Sequence, residues 1–256
     1  MKALLPTRTA ATAAVTLLAL SAPVFGHEDD PKTLHLLPPV AGSGFVRGLP
    51  SSAILPGGGS NTTMQSGGGF DSHDVTLHSW LTLADLGGGN RNNDIWGYAS
   101  PSGREYALVG AESATVIVEV SNPDLPVVIG SISGPTSTWR DIRTYADRAY
   151  AVSEGGEGIQ VIDLSNVDSG VVTLERTVLT GGSSASHNVV VDTDSGFLYR
   201  CGGSGNGLRI YDLSNPANPQ YVSSWDDRYV HDAQIVTYTS GPYSGKEIAF
   251  CCSGFN

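Results

Sequence analysis

Four residues with side-chain oxygens, Asp94, Asp141, Asn188 and Asp232, open four similar short segments, DIWGY, DIRTY, NVVVD and DAQIV. They recur at intervals of about 40 to 50 residues. If these segments are equivalent strands around one axis, the oxygens converge, and a ring of such donors is what a hard cation such as calcium takes. Carboxylates gathered without a cation, an arginine or hydrogen-bond donors repel one another and titrate high. The residues just before them, Asn93, Arg140, His187 and His231, alternate to the opposite strand face or to the rim of the channel and are candidate ligand contacts. A structural reading competes and takes precedence: inner-strand Asp and Asn tie neighbouring repeats through backbone N–H groups or channel water, because buried polar groups need partners. On that reading His187 and His231 are satisfied structural histidines. Arg140, beside Asp141, is then an ion pair between repeats rather than a substrate clamp.

Nucleophilic catalysis finds no constellation. Ser186 precedes His187 directly, and strand neighbours face opposite sides. A hydrolase needs a nucleophile with its base and orienter, and Gly-x-Ser-x-Gly, His-Glu-x-x-His and phosphate-loop patterns are all absent from the sequence. Asp192-Thr193-Asp194-Ser195-Gly196 resembles the start of a calcium loop, yet the downstream Glu and flanking helices are missing, so it reads as a hairpin turn. The three cysteines, Cys201, Cys251 and Cys252, permit one internal disulfide at most. All fall on second strands of consecutive repeats, which predicts proximity beyond the Cα reach of a disulfide, about 4.4 to 6.8 Å.

The elements that must position these residues follow from the repeat. DIWGYASPSGREYALVGAESATVIVEVSNPDLPVVIG, RDIRTYADRAYAVSEGGEGIQVIDLSNVDSGVVTLERTVL and HNVVVDTDSGFLYRCGGSGNGLRIYDLSNPANPQYVSSW align, and a fourth unit starts at HDAQIVTY. Tyr106, Tyr150 and Tyr199, and Glu119, Asp163 and Asp212, form two further columns. A period of about 40 to 50 residues with four strands per unit predicts an all-β propeller with an incomplete ring, about three and a half blades. In the second unit the strands fall near Asp141–Tyr145, Ala149–Ser153, Gly158–Leu164 and Val171–Val178. Ser-Asn-Pro turns follow the third strands at Ser121 and Ser214. Before the first unit, Asp74 to Leu83 alternates and is placed to close the ring as an added strand. The fourth unit breaks off after two strands, so the sequence reads as a fragment or as a ring closed by something else.

At the N-terminus, Lys2 and Arg8 precede an apolar run from Ala10 to Leu20, then Ser21 and Ala22. This pattern predicts a signal peptide over residues 1–26 and an exported chain, extracellular, periplasmic or at the cell surface. The run is shorter than the roughly 20 residues that span a membrane, so no transmembrane segment is expected in the mature chain. Residues 27–69, rich in Pro, Gly and Ser, read as a flexible arm, and 70–256 as the propeller domain. Asn61-Thr62-Thr63 matches a glycosylation triplet of a kind that arises often by chance. Abundant Gly, 32 residues, with only 15% charged residues suits short strands and tight turns. A net charge of -11 argues against nucleic acid or anionic membranes as partners.

The third-strand sequences VIVEVSNP, IQVIDLSN and LRIYDLSNP resemble the LVIVD repeat. From about Phe70 to Asn256 the order of Asp94-Ile95-Trp96-Gly97-Tyr98, Glu105-Tyr106-Ala107-Leu108-Val109-Gly110, Trp139-Arg140-Asp141-Ile142, Ser186-His187-Asn188, His231-Asp232-Ala233-Gln234 and Gly245-Lys246-Glu247-Ile248 is similar to that of choice-of-anchor B proteins. The resemblance implies an exported, surface-attached β-propeller with no commonly assigned reaction and no cofactor. The expected function is a binding or interaction module for an extracellular protein or glycan. The alternative is a cation-dependent enzyme, hydrolase or lyase, working through the Asp and His columns with calcium.

Overall fold

The computed structural model describes residues 75–87, 89–202 and 207–253, together with the backbone of 45–46. The expected signal peptide, the glycosylation triplet and almost all of the arm lie outside the described residues. Sixteen strands and a one-turn helix follow one another within them.

Each complete unit is a four-stranded antiparallel sheet whose strands pair in chain order. The first unit consists of β3 (Asn92–Ala99), β4 (Glu105–Ala111), β5 (Ala114–Glu119) and β6 (Val127–Ser133). β7 (Arg140–Tyr145), β8 (Arg148–Ser153), β9 (Ile159–Asp163) and β10 (Thr173–Val178) make the second, so its strands stand within two residues of their expected limits. The third runs through β11 (Asn188–Asp192), β12 (Phe197–Cys201), β13 (Leu208–Asp212) and β14 (Gln220–Trp225). A fourth unit has two strands, β15 (Val230–Tyr238) and β16 (Lys246–Ser253). The innermost strands β3, β7, β11 and β15 pack side by side in that order, and among the described residues no sheet is closed. This is an incomplete β-propeller.

Burial explains the composition of each strand. The middle strands are covered on both faces, by a neighbouring unit or by the segment before the first unit, and β5, ATVIVE, is buried at five consecutive positions. Such a strand reads as an unbroken β-branched run rather than an alternation. Outermost strands have one wet rim, and β10, TLERTV, is exposed at every position except Val178. The core is accordingly divided among the seams. Leu108 and Ile117 meet Ile142, Ala151 and Ile162 between the first two units. Val152, Ile159 and Val161 meet Val189, Leu198 and Tyr211 between the second and third. Val190, Tyr199 and Leu208 meet Val230, Ile235 and Ala249 between the third and fourth. Each fully buried aliphatic side chain contributes about 1.5–3 kcal/mol, so the adhesion of one unit to the next is mainly hydrophobic.

The segment before the first unit does not join the fourth sheet. Ser79–Trp80, β2, pairs with Phe45–Val46, β1. A short helix, α1 (Leu83–Leu86), then begins at Thr82, whose hydroxyl accepts from the Asp85 N–H (3.2 Å) while the Asp85 carboxylate accepts from the Thr82 N–H (2.7 Å). This reciprocal capping box turns the chain out of the extended state. Leu86 and Leu81 are thereby laid on Ala114, Val116 and Val118, covering the free face of the first unit. The alternation of 74–83 is that of a covering segment, and the ring-closing strand expected there is not formed among the described residues.

The cysteines follow expectation: Cys201 on β12 and Cys251 on β16 belong to one apolar cluster, and all three thiols are free.

Candidate functional site

The four column residues occupy equivalent innermost-strand positions, and two of them share one structural task. Asp94 Oδ2 accepts the backbone N–H of Ile142 (3.0 Å). Asp141 Oδ2 does the same one unit further on, accepting from Val189 N–H (2.8 Å). Each carboxylate thus reaches the residue after its own counterpart in the next unit, stitching inner strand to inner strand. Asp232 Oδ1 takes the N–H of its neighbour Ala233 (2.7 Å), and at Asn188 it is the backbone carbonyl that accepts, from the Cys201 thiol (3.6 Å).

Arg143 completes the arrangement. One nitrogen, Nη1, lies 2.9 Å from Asp141 Oδ1 and 3.3 Å from Asp94 Oδ2, and the guanidinium stacks on the Trp96 ring at 4.2 Å. Trp96 in turn donates its indole N–H to Thr144 Oγ1 (3.1 Å). Burial pushes the Asp141 carboxyl up to about 8; Arg143 pulls it down and nearby Asp94 raises it. Among the described residues no group of three or more His, Cys, Asp or Glu is arranged to hold a metal ion.

Of the preceding column, Asn93 and Arg140 are tied together, the Asn93 side-chain oxygen accepting the Arg140 N–H (3.3 Å). The Arg140 side chain is almost wholly buried. It meets no carboxylate: Nε donates to Ala111 O (3.1 Å), Nη2 to Pro135 O (2.7 Å) and Nη1 to Gln160 Oε1 (3.4 Å). The ion pair between repeats expected at Arg140 is therefore replaced by a clamp on carbonyls. Strand alternation sends neighbours to opposite faces, and the partner of Asp141 is Arg143, two residues along on its own face. Arg200 is a second buried clamp, donating to Ser186 Oγ (2.8 Å), Tyr211 OH (2.9 Å) and the Ser183 and Ala185 carbonyls.

His187 and His231, from the third and fourth units, meet ring to ring at 4.1 Å. Trp139 stands edge-on to His187 at 5.5 Å, and Tyr229 lies 6.4 Å from His231. Glu154, just after β8, is 2.8 Å from His187 Nδ1. A carboxylate on Nδ1 fixes the orientation of the ring. Gly202 makes the approach possible. Its φ is +72°, and a Cβ there would sit 2.2 Å from that of His187. Three successive units thus contribute to a half-buried cluster of indole, phenol and imidazole rings beside one acid. Sequence reasoning found its histidines but missed Trp139, Tyr229 and Glu154, which stand outside the aligned strands and carry no spacing signal.

The Tyr column is a third set of ties. Tyr106 donates to Asp168 Oδ1 (2.7 Å) and Tyr150 to Pro216 O (2.8 Å), each in the turn after the third strand of the next unit.

The LVIVD repeat family matches residues 196–227, which carry β12, β13 and β14. No curated protein matches the chain. Among solved structures, a crystal structure of a protein from Lactobacillus plantarum aligns at 15% identity and a TM-score of 0.46, over 64% of this chain and 52% of that one. The chain thus spans about half the length of that protein. No helix among the described residues is long and apolar enough to cross a membrane.

Proposed function

We propose that this chain is an exported β-propeller of the choice-of-anchor B type, secreted or held at the cell surface, that acts as a binding module. The supporting observation is the cluster of Trp139, His187, His231 and Tyr229 beside Glu154, assembled from three successive units at the start of their inner strands. Aromatic faces next to a carboxylate suit the apolar faces and hydroxyls of a sugar, or an aromatic or basic side chain of a protein. Asp94 and Asp141 are engaged by backbone N–H groups and Arg143. That engagement weighs against their use as cation ligands and favours binding over the cation-dependent enzyme.

The test is a panel of surface polysaccharides and oligosaccharides screened with the protein and with Trp139→Ala and His231→Ala. A glycan bound by the parent and released at least about tenfold more readily by both variants, about 1.4 kcal/mol, with unchanged melting temperatures, is the expected result. Equal binding by all three proteins places recognition elsewhere.

A further inference from the structure

The seam between the third and fourth units holds a second pair of acids, and it stands apart from the binding reading. Asp192 ends β11 and is 7% exposed. Its Oδ1 accepts the Asp194 N–H (3.0 Å) in the turn to β12, and its Oδ2 accepts the Thr237 hydroxyl of β15 (2.5 Å). Glu247 of β16 lies directly opposite Thr237 in the register of β15 and β16. It accepts the Ser195 hydroxyl (2.7 Å), with the Tyr199 phenol of β12 beside it, and since Thr237 bonds Asp192 the two acids flank one hydroxyl. The fourth unit is therefore fastened to the third, on its polar side, by two facing carboxyls and three hydroxyls.

We propose that this seam is a proton-dependent latch: a proton on Glu247 keeps it closed against Asp192, and loss of that proton loosens β15 and β16 from the third unit. Hydroxyls can donate to either acid, but only a proton lets one acid donate to the other. With both ionised, like charges face each other across a partly dry interface. The groups that face Glu247 are Asp192 on β11, Ser195 in the turn, Tyr199 on β12 and Thr237 on β15. Next to it on its own strand, Lys246 turns away, its ammonium 5.9 Å from the centre of the Tyr243 ring. Burial raises the Glu247 carboxyl above its ordinary range, opposed by the Tyr199 and Ser195 hydrogen bonds and reinforced by Asp192. A carboxyl raised in the folded state binds its proton more tightly there than in the unfolded chain. The seam is then closed in acid, and stability falls as pH rises from the ordinary glutamate value through the raised one.

Backbone hydrogen exchange on the full chain across roughly pH 4 to 8, corrected for intrinsic rates, reads the latch. Protection of β15 and β16 is expected to fall about tenfold for each unit by which Glu247 is raised, over and above any fall that Asp141 gives β8 and β9. Glu247→Gln, which keeps a donor toward Asp192 and removes a charge, should flatten this profile at the protected end. Asp192→Asn removes the facing charge instead and should shift the fall or abolish it, providing a second variant if the first does not fold. A flat profile in the parent protein overturns the latch, and so does a fall that persists unchanged in the variants.

Discussion

Arg143 ties the inner strands together, because a single guanidinium reaches both Asp94 and Asp141 while both side chains bond the next unit. Replacing it with Met leaves two partly buried acids facing each other, a situation that costs about 3–5 kcal/mol when one partner of a buried pair is lost. Denaturant unfolding of Arg143→Met should show that loss, and Arg143→Lys, a single point charge, should recover only part of it. The Asp141 carboxyl, raised to about 8 mainly by burial, binds its proton more tightly folded than unfolded. It therefore contributes a fall in stability as pH rises from the ordinary carboxylate range to about 8. Melting curves between about pH 5 and 9 should show it, and Asp141→Asn should remove that part of the slope while weakening the Val189 bond. The Asp column was legible because repetition exposes equivalent positions. Arg143 was legible only in principle, through the same-face spacing of Asp-x-Arg, and Arg200 left no trace, since a buried arginine satisfied by hydroxyls and carbonyls has no charged partner that sequence spacing reveals.

At the scale of elements, the period and the strand alternation were readable since every unit solves the same packing problem. The second unit's strands sit where turn residues bracket them. The alternating segment before the first unit pairs with Phe45–Val46 at Ser79–Trp80 instead of closing the ring among the described residues, and alternation alone does not distinguish the two. Thr82 and Asp85 carry the capping box that resolves the ambiguity. Thr82→Ala should cost about 1 kcal/mol and loosen the cover over Ala114, Val116 and Val118, which exchange at the β5 amides would report. Gly202→Ala should do more. The new Cβ collides with His187 in a backbone conformation that disfavours side chains, so it should both destabilise the fold and disrupt the ring contact of His187 with His231. Near-ultraviolet circular dichroism of Trp139 reads that contact.

Across the whole molecule, cohesion runs sideways: each unit adheres to the next through an apolar seam, joined at the first two seams by inner-strand carboxylates and second-strand tyrosines, so opening of one seam need not open the others. The three thiols report on this directly. Cys252 is exposed, Cys251 half-buried and Cys201 buried to 1%. Burial pushes the Cys201 thiol well above its ordinary value, with the charges of Asp232 and Asp141 adding to the effect, and pushes Cys251 up to about 11. Since the thiolate is the reactive form, native labelling should proceed in the order Cys252, Cys251, Cys201, and denatured, non-reduced protein should yield all three free thiols. Cys201 lies against Val230, Ala233 and Ala249 of the fourth unit, so its labelling requires that seam to open while the seam between the first two units stays closed. Peptide mapping of the labelled protein should therefore find Cys201 modified well before β5 and β8 lose amide protection, and sooner as pH rises, beyond what thiol ionisation alone accounts for. Simultaneous loss of both would mean that the units unfold together and that seam-by-seam cohesion is the wrong description.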